Sequence, residues 1–549
     1  MYEYMYEYLS VLTTQTRDET FPCANTCTNI YSHYFIFKLY TMDITEKQFL
    51  ELLNMGESQK VEFKAAKSAF PKDALKTICA FSNTNNGLLI LGVSEDDKKR
   101  FYVSGVQDTN KVIDDLFSVL NNTNKVNKNV INEKDVTIKS FEGKDIIIIP
   151  VRKVHYKDKP IFLNGNISQS FYRQGTGDFR CSQETINAML RDSGNESFDS
   201  TVITDFTIDD LDTETVNKYI DKFKTVSEDH PFLKLSNEEF LVKINALRVN
   251  RETGTLSPTV AGLLVFGKHT SIKEYIPHYS IEYIYKESSA NNSFKDRVIY
   301  DGIWGEDNLF NFFFYVIDKM YLTLQNTSEL SSDSITRKGV SKLRVALREA
   351  FVNSLIHGDY KSDKGVLIIR YANRFIFSNG GTLRIDPQDF FSGAHSDPRN
   401  YLIQEMFRFI NLCEKAGTGI PKIMEAVQDY SLKYPNLDVD IDSVELTLWD
   451  TSIIESLNIS HPLEKRIVEY LIQNKIASRK DLEQDLSTPK NTILKYLKIL
   501  ENKGIIGKSK DGRQFLYYIS QNNKNEFRKY NHLESMYALL EEIKRREKL

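Results

Sequence analysis

"GESQKVEFKAAK", residues 56–67, decides how the N-terminal part of the chain folds. Val61 and Phe63 alternate with Glu62 and Lys64, the period-two pattern of a strand, so the apolar pair faces a core while the carboxylate and ammonium share the opposite face. The same couple serves metal-dependent phosphodiester cleavage, in which carboxylates hold a divalent ion, the ion polarises phosphate and water, and a lysine offsets developing charge. That chemistry asks for a third carboxylate. Glu95 and Asp96 stand just beyond the apolar run "LLILGV", where a neighbouring strand would end. The plainer reading is a surface ion pair worth about 0–1 kcal/mol, and spacing alone favours it.

Upstream, Asp43 to Leu53 reads as a short helix with "DITE" as a capping box, Asp43 capping and Glu46 reaching back. Downstream, Pro71 opens a helix in which Leu75, Ile78, Cys79 and Ser82 recur at helical spacing. Asn85, Asn86 and Gly87, which tolerate positive φ, end it. A helix near 109–122, the strands "DVTIKSF" and "KDIIIIPV" and the turn-rich "FYRQGTGDF" complete an α/β domain over 42–195. The tandem repeat "MYEYMYEY" and the polar sequence after it mark 1–41 as a leader, with translation expected to start at Met42. The leader is an upstream artefact or a disordered tail, without the cationic start and smooth apolar core of a signal peptide.

"ESQKVEFK", a helix ending in "AFSNTNNG", the strand "LLILGVSEDD" and "FYRQGTGDFRCSQETINAML" occur in that order and together resemble the Schlafen-type (Alba-like) domain over about residues 44–195. The resemblance implies nucleic-acid binding and, in nuclease-active members, three acids that cut RNA. Glu57, Glu62 and Glu95 occupy those positions, with Lys64 beside them and Mg²⁺ or Mn²⁺ as the implied metal. Two positions depart from the pattern: Ser94-Glu95 replaces the usual Asp-Asp, and Asn86 replaces one glycine of a Gly-Gly pair.

A chain of 549 residues, 41% of them hydrophobic, exceeds one core, and roughly three or four domains are expected. The net charge of −4 excludes a protein that is basic throughout and leaves room for local basic patches. Five scattered cysteines suit a reducing compartment, hence the cytoplasm. "CANTC" could hold half a zinc site, but neither a second pair nor histidines follow at finger-like spacing. The aromatic run near 309–324 falls short of the roughly 20 apolar residues of a bilayer span and reads as a buried helix, so no membrane is expected.

"RDSGNESFDSTVITD" reads as a linker. After it, 205–330 is a linking α/β region with "TVAGLLVFG" and "YSIEYIYK" as strands, and a second break, "NTSELSSDSITRKG", precedes a helix-hairpin-helix pattern. In "KLRVALREAFVNSLIHGDY", residues 342–360, Glu349, Asn353 and His357 lie within about 80° of helical arc, and Leu347, Phe351 and Leu355 occupy another side. Glutamate can take a proton from water and asparagine can hold Mg²⁺ through its carbonyl, as phosphate hydrolysis requires; a solvated helix face would carry Lys and Glu pairs instead. "EKAGTGIPKIMEA" is a glycine-rich loop opening a helix, which offers backbone N–H groups to phosphate. With the hairpin "KGVLIIRYANRFIFSNGG", these blocks resemble the GHKL-type ATP-binding fold in the divergent, RecG-like form fused to Schlafen-type domains in prokaryotic predicted transcriptional regulators, over 335–450. The "SPTVAGLLVFGK" block resembles the linking region of those proteins.

That resemblance implies ATP with Mg²⁺, Glu349 as base, Asn353 as metal ligand, His357 on the same stripe, and Gly417, Thr418 and Gly419 at the phosphates. The adenine-reading Asp-x-Gly-x-Gly is absent: Asn379 stands at the aspartate position, followed by Gly380 and Gly381.

From 460 to 520 the order helix, helix, helix, hairpin resembles a winged helix-turn-helix, with Ser487 or Thr488 capping the third helix and Ile493, Leu497 and Leu500 on its buried side. Lys490, Asn491, Lys495 and Lys498 are candidate DNA contacts, with Lys508, Lys510 and Arg513 on the wing; protein association is the alternative use. The helix expected over 526–549 has a seam, Leu533, Met536, Leu539, Leu540 and Ile543, that suits either a homo-oligomer contact or a covering helix.

The whole reads as a multidomain α/β and α+β protein: a Schlafen-like α/β domain, a GHKL-like α/β sandwich and a C-terminal winged helix. The expected function is a regulator whose nucleotide state controls DNA or RNA binding. The alternatives are a metal-dependent nuclease in host defence or a scaffold with decayed sites.

Overall fold

A computed structural model describes residues 46–520, apart from 195, 252, 288–292, 304, 329–335, 388, 394–395, 414–416, 431, 453, 458, 460, 475 and 512–513. The leader, the Asp43 cap, the Cys23/Cys27 pair, Arg513 and the C-terminal helix lie outside the described residues. The chain divides into two compact units, Met1–Ser193 and Gly194–Leu549.

The first unit runs through helix α1 (Glu46–Met55), strand β1 (Val61–Lys64), helix α2 (Ala74–Asn83), strand β2 (Gly87–Leu91), strands β3 (Val93–Glu95) and β4 (Phe101–Val103), helix α3 (Thr109–Leu120), strands β5 (Thr137–Phe141), β6 (Lys144–Val151), β7 (Phe171–Gln174) and β8 (Gly177–Arg180), and helix α4 (Gln183–Ser193). Its sheet has the order β1-β2-β6-β5. β1 and β2 are parallel, with Val61 opposite Leu88 and Lys64 opposite Leu91, and α2 is the crossover between them. The continuous apolar run of β2 is explained by burial on both faces. Leu88 and Ile90 pack with Phe49, Val61 and Phe63 on one side, and Leu89 and Leu91 with Ile78, Ile147 and Ile149 on the other.

Gly87 has a different reason from the one its sequence context suggests. Neither Asn85, Asn86 nor Gly87 has positive φ. A Cβ on Gly87 would instead fall 2.2 Å from the Phe81 ring, so glycine lets β2 approach α2.

The second unit contains helices α5 (Thr213–Val226) and α6 (Asn237–Lys243), the small hairpin β9 (Leu247–Val249) and β10 (Leu256–Pro258), and helices α7 (Val260–Phe266) and α8 (His269–Tyr275). Strands β11 (Ile281–Tyr285) and β12 (Asp296–Ile299) follow, then the long helices α9 (Leu309–Ser328) and α10 (Thr336–His357). The expected strand "TVAGLLVFG" is a helix: Thr259 caps α7 by accepting from Gly262 N, and every residue of α7 is buried. A short apolar run has no period to separate buried strand from buried helix. A Cβ on Gly262 would come 2.1 Å from Ala246 O, so this glycine too marks a close approach.

Strands β13 (Val366–Tyr371) and β14 (Arg374–Gly380), helices α11 (Tyr401–Phe409) and α12 (Gly419–Asp429), and strands β15 (Asn436–Val439) and β16 (Ser443–Trp449) complete a six-stranded sheet of order β12-β11-β13-β14-β16-β15. Leu347, Phe351 and Leu355 of α10 enter its core with Ile368, Phe375 and Phe377. α9 buries Leu309, Phe312, Val316 and Met320 but exposes Tyr315 and Leu322, so it is amphipathic rather than buried all round. Among the described residues no helix is long and apolar enough to cross a membrane.

The unit ends in α13 (Pro462–Asn474), β17 (Ile476–Ser478), α14 (Arg479–Asp485), α15 (Lys490–Asn502), β18 (Ile506–Asp511) and β19 (Gln514–Ile519). Ile467, Leu471, Leu482, Ile493, Leu497 and Leu500 share one core there, and the strand order is β17-β19-β18.

Candidate nucleotide pocket and nucleic-acid interface

Alternation along β1 does what the sequence requires. Val61 and Phe63 are core residues, and Lys64 Nζ lies 2.8 Å from Glu62 Oε1 on the other face. Glu62 is nevertheless buried, because Arg173 arrives from β7 and places Nη2 2.7 Å from Glu62 Oε2. Arg173 also binds Asp178 at 2.9 Å and the Ser58 carbonyl at 2.9 Å, over the Phe81 ring. Asp178 in turn accepts from Thr77 Oγ1 at 2.7 Å.

Asn83 fixes this hairpin. Its amide exchanges hydrogen bonds with Ile161 N and O, both at 2.8 Å, and donates to Phe171 O at 3.0 Å. The sequence reading named neither Arg173 nor Asp178; their only signal was the turn-rich "FYRQGTGDF" block.

Glu57 accepts from Phe63 N at 3.1 Å. Burial, then the charge of Glu62, raises its pKa above the usual carboxylate value. Burial pulls the Lys64 pKa down, but its hydrogen bond and charge pairing with Glu62, and then Asp73, outweigh this and the net shift is upward.

Glu95 does not join Glu57 and Glu62. The chain leaves the sheet at Gly92, where φ is +93°, and pairs Glu95 with Phe101 in the separate β3–β4 hairpin, leaving Glu95 exposed. Asp96 holds Arg100 in the turn of that hairpin at 2.7 Å. Among the described residues no group of three His, Cys, Asp or Glu side chains could hold a metal ion. Two carboxylates, one of them already met by two cations, do not fit the divalent ion expected at this cluster.

The second constellation borders a cavity. Asn353 and His357 of α10, Asn379 of β14, Thr382, Arg384, Asp397 and Arg399 of the following segment, and Gly417 and Gly419 all line it. The Asn379 amide nitrogen donates to Gly380 O at 3.0 Å and His357 O at 3.4 Å, which leaves its carbonyl oxygen as the group able to accept from a ligand. Arg399 donates to His357 O at 3.0 Å and Thr382 O at 2.9 Å. Gly381, with φ +98°, makes room for that guanidinium: a Cβ there would meet it at 2.6 Å. Burial, then the charges of Arg399 and Arg384, pushes the His357 pKa down to about 4, so the imidazole is neutral at pH 7.

Gly380 closes β14 with its Cβ position 2.1 Å from Lys364 O. Glu349, one turn before Asn353, is buried, with Arg348 and Lys422 each 3.4 Å from Oε1. A Cβ on Gly419 would lie 2.9 Å from Glu349 Oε2 and 3.4 Å from Asn353 Nδ2, so the N-terminus of α12 lies against the ends of these two α10 side chains. Thr418 is the N-cap residue, and Gly417 has φ +93°. Arg384 and Arg399 had no sequence signal, since they lie in irregular backbone outside any quoted motif.

On α15, Ile493, Leu497 and Leu500 are buried, and Lys490, Asn491, Lys495 and Lys498 are exposed on the outer side. The N-cap is Pro489 rather than Ser487 or Thr488: Thr488 Oγ1 donates back to Leu486 O at 2.9 Å. The wing residue Lys508 is held by Glu501 at 2.7 Å.

The chain combines a mixed α/β unit, a sheet with a polar-striped helix over a cavity, and a winged helix, and the family models that match these parts are those of a multidomain nucleic-acid-binding regulator. Residues 57–182 match the Schlafen, AlbA_2 model, 363–448 the model described as "Putative ATP-dependent DNA helicase recG C-terminal", and 461–537 the penicillinase repressor model. Residues 187–282 match a domain of unknown function.

No curated protein matches the chain. Solved structures similar to it include the DIP2311 protein from Corynebacterium diphtheriae, with 18% identity over 86% of this chain and 80% of that one and a TM-score of 0.37. The N-terminal domain of a RecG-related protein from Nitrosomonas europaea has 28% identity over 26% of this chain and 95% of that one, TM-score 0.20. NadR in complex with 4-hydroxyphenylacetate has 22% identity over 18% and 70%, TM-score 0.14.

Proposed function

We propose that the chain is a regulator whose affinity for nucleic acid is set by ATP bound in the cavity of the second unit. The observation that carries this reading is the convergence of Asn353, His357 and Asn379 on one cavity walled by Gly417 and Gly419. The donor set fits a nucleotide. The Asn379 oxygen can accept from an adenine amino group, Asn353 can ligate Mg²⁺, and the first N–H groups of α12 face where phosphates would lie. Glu349, the base position of the resemblance, has Arg348 and Lys422 each 3.4 Å from its carboxylate and is not among the residues lining the cavity, so the reading rests on nucleotide binding and not on hydrolysis. Bound Mg²⁺-ATP supplies a concentrated negative charge, and regulation follows only if one arrangement of the chain binds it better than another.

Lys490, Asn491, Lys495 and Lys498 are the proposed duplex DNA contacts. A nuclease reading centred on Glu57 and Glu62 has no carboxylate triad behind it among the described residues.

Anisotropy of labelled duplex DNA titrated with the full chain, with and without Mg²⁺-ATP, tests the proposal. ATP is expected to change the affinity by at least about fivefold, the lower end of ordinary coupling energies. Asn379→Ala, which removes the side-chain oxygen offered to the adenine amino group, should lower ATP affinity on the order of tenfold, about 1.4 kcal/mol, and abolish the effect at limiting nucleotide. Equal DNA affinity at saturating ATP and without it would end the regulatory reading.

A further inference from the structure

Helix α15 has two unlike faces. Ile493, Leu497 and Leu500 share the one that enters the winged-helix core. At about 100° per residue, Asn491, Leu494, Lys495 and Lys498 fall within roughly 100° of arc on the opposite face, and all four are exposed. Leu494 is the apolar member of that group, and it is 38% exposed.

The charges around this face are open. Lys490, Lys495 and Lys498 make no ion pair among the described residues. Acids of the domain are engaged by other cations: Glu464 by Lys503 and Glu501 by Lys508, each at 2.7 Å, and Glu483 by Arg479. Residues 461–520 hold twelve Lys and Arg against seven Asp and Glu, in a chain whose totals are 71 and 75. Positive charge is therefore concentrated in this domain, as a polyanionic partner requires. The Asn491 side chain makes no hydrogen bond among the described residues, so its carbonyl oxygen and its NH₂ group are both available to a ligand.

Lysines alone would hold a phosphate backbone of any sequence. Asn491 and Leu494 add groups that phosphate does not use. A free amide presents an acceptor and a donor side by side, the complement of the N6 donor and N7 acceptor of adenine, and an apolar side chain complements the methyl group of thymine. We propose that α15 reads A·T base pairs in the major groove, Asn491 holding an adenine through N6 and N7 and Leu494 covering a thymine methyl group, with Lys490, Lys495 and Lys498 on flanking phosphates. The inference rests on the DNA-binding reading above and names the sequence class that the duplex must contain. The two residues stand about 4.5 Å apart along the helix axis and base pairs stack about 3.4 Å apart, so they fall on the same pair or on adjacent ones.

The test uses the full chain to select binders from a pool of random duplexes, and then titrates the selected duplex by anisotropy. The selected sequences are expected to share an A·T pair at a fixed position. Exchanging that pair for G·C should weaken the unaltered chain roughly 5- to 150-fold and leave Asn491→Ala almost indifferent. Replacing the adenine by 7-deazaadenine, which lacks only the N7 acceptor, should cost roughly 2- to 10-fold with Asn491 present and nothing in Asn491→Ala. Uracil in place of thymine, which removes only the methyl group, should cost up to about fourfold with Leu494 present and nothing in Leu494→Ala. The base analogues leave the protein unaltered, so their effects do not depend on how a variant folds.

Duplex binding with no fixed A·T pair among the selected sequences, or an Asn491→Ala variant that keeps the original preference, overturns the readout while leaving the DNA reading intact. So does a Leu494→Ala variant that changes the oligomeric mass and not the ratio of thymine to uracil affinity, which would assign the face to protein. Absence of any duplex binding by the unaltered chain overturns both.

Discussion

The two polar constellations of this chain carry similar residues and end in opposite states. Around Glu62 each charge meets a counter-charge inside the protein: Lys64 at 2.8 Å, Arg173 at 2.7 Å, and Arg173 in turn on Asp178 at 2.9 Å. Around Asn353 the arginine and asparagine side chains brace backbone carbonyls of the cavity wall, and the cavity itself stays lined by polar groups able to take a ligand. Glu349, one turn before Asn353, is buried and met by two cations as Glu62 is, so the contrast lies in the uncharged Asn353, His357 and Asn379 that line the cavity. Both decisive arginines, Arg173 and Arg399, are distant in sequence from the motifs they serve; what separates them is the target, a carboxylate for Arg173 and backbone carbonyls for Arg399.

Glu62→Ala has the largest expected effect. It leaves the fully buried Arg173 side chain short of a carboxylate, and removing one partner of a buried pair costs about 3–5 kcal/mol. Urea unfolding followed by hydrogen exchange within residues 57–182 should report a loss of that size. An unmoved unfolding curve would place Glu62 among the ligand-binding groups and erase the contrast.

Acid tests the other side. His357 has a pKa of about 4 in the folded chain against about 6.5 unfolded, so between those values the unfolded state binds the extra proton. Stability therefore falls as pH drops through this window, and the contribution is complete above pH 6.5. The ring keeps some exposure to the cavity, so the loss is expected to be on the order of 2 kcal/mol and to vanish in His357→Gln. A wild-type-minus-variant difference that stays flat from pH 6.5 to 4 would show that the cavity accepts a charged imidazole.

Much of this was legible in advance because it depends on local period. The alternation of β1 and the opposed faces of α10 follow from spacing alone, and Val61, Phe63, Leu347 and Phe351 are buried as the pattern requires. The failures have separate physical causes. The pairing of β1 with β2 predicts Glu95 beside Glu62; the strands do pair, but the positive φ at Gly92 sends the chain into another hairpin before Glu95 is reached. "TVAGLLVFG" was read as a strand because seven buried apolar residues show no period. Gly87 and Gly262 are there for close approach, a property of what packs against them and invisible in their neighbours.

Asp73→Asn carries the smallest expected effect and sharpens the contrast most finely. Asp73 is the outer end of the Glu62 network, 3.3 Å from Lys64, with its side chain 67% exposed against 6% for Glu62. Water and salt screen it, so the substitution should cost no more than about 1 kcal/mol, and less at high ionic strength. Lys64 joins both carboxylates, so a double-mutant cycle of Asp73→Asn with Glu62→Ala measures how far the outer pair depends on the inner one. If the two losses are comparable, the network is a chain of equal links and its burial explains nothing. If the outer loss is small and the inner one large, the structural character of Glu62 comes mainly from the buried Arg173, and Lys64 only extends the network to its exposed rim.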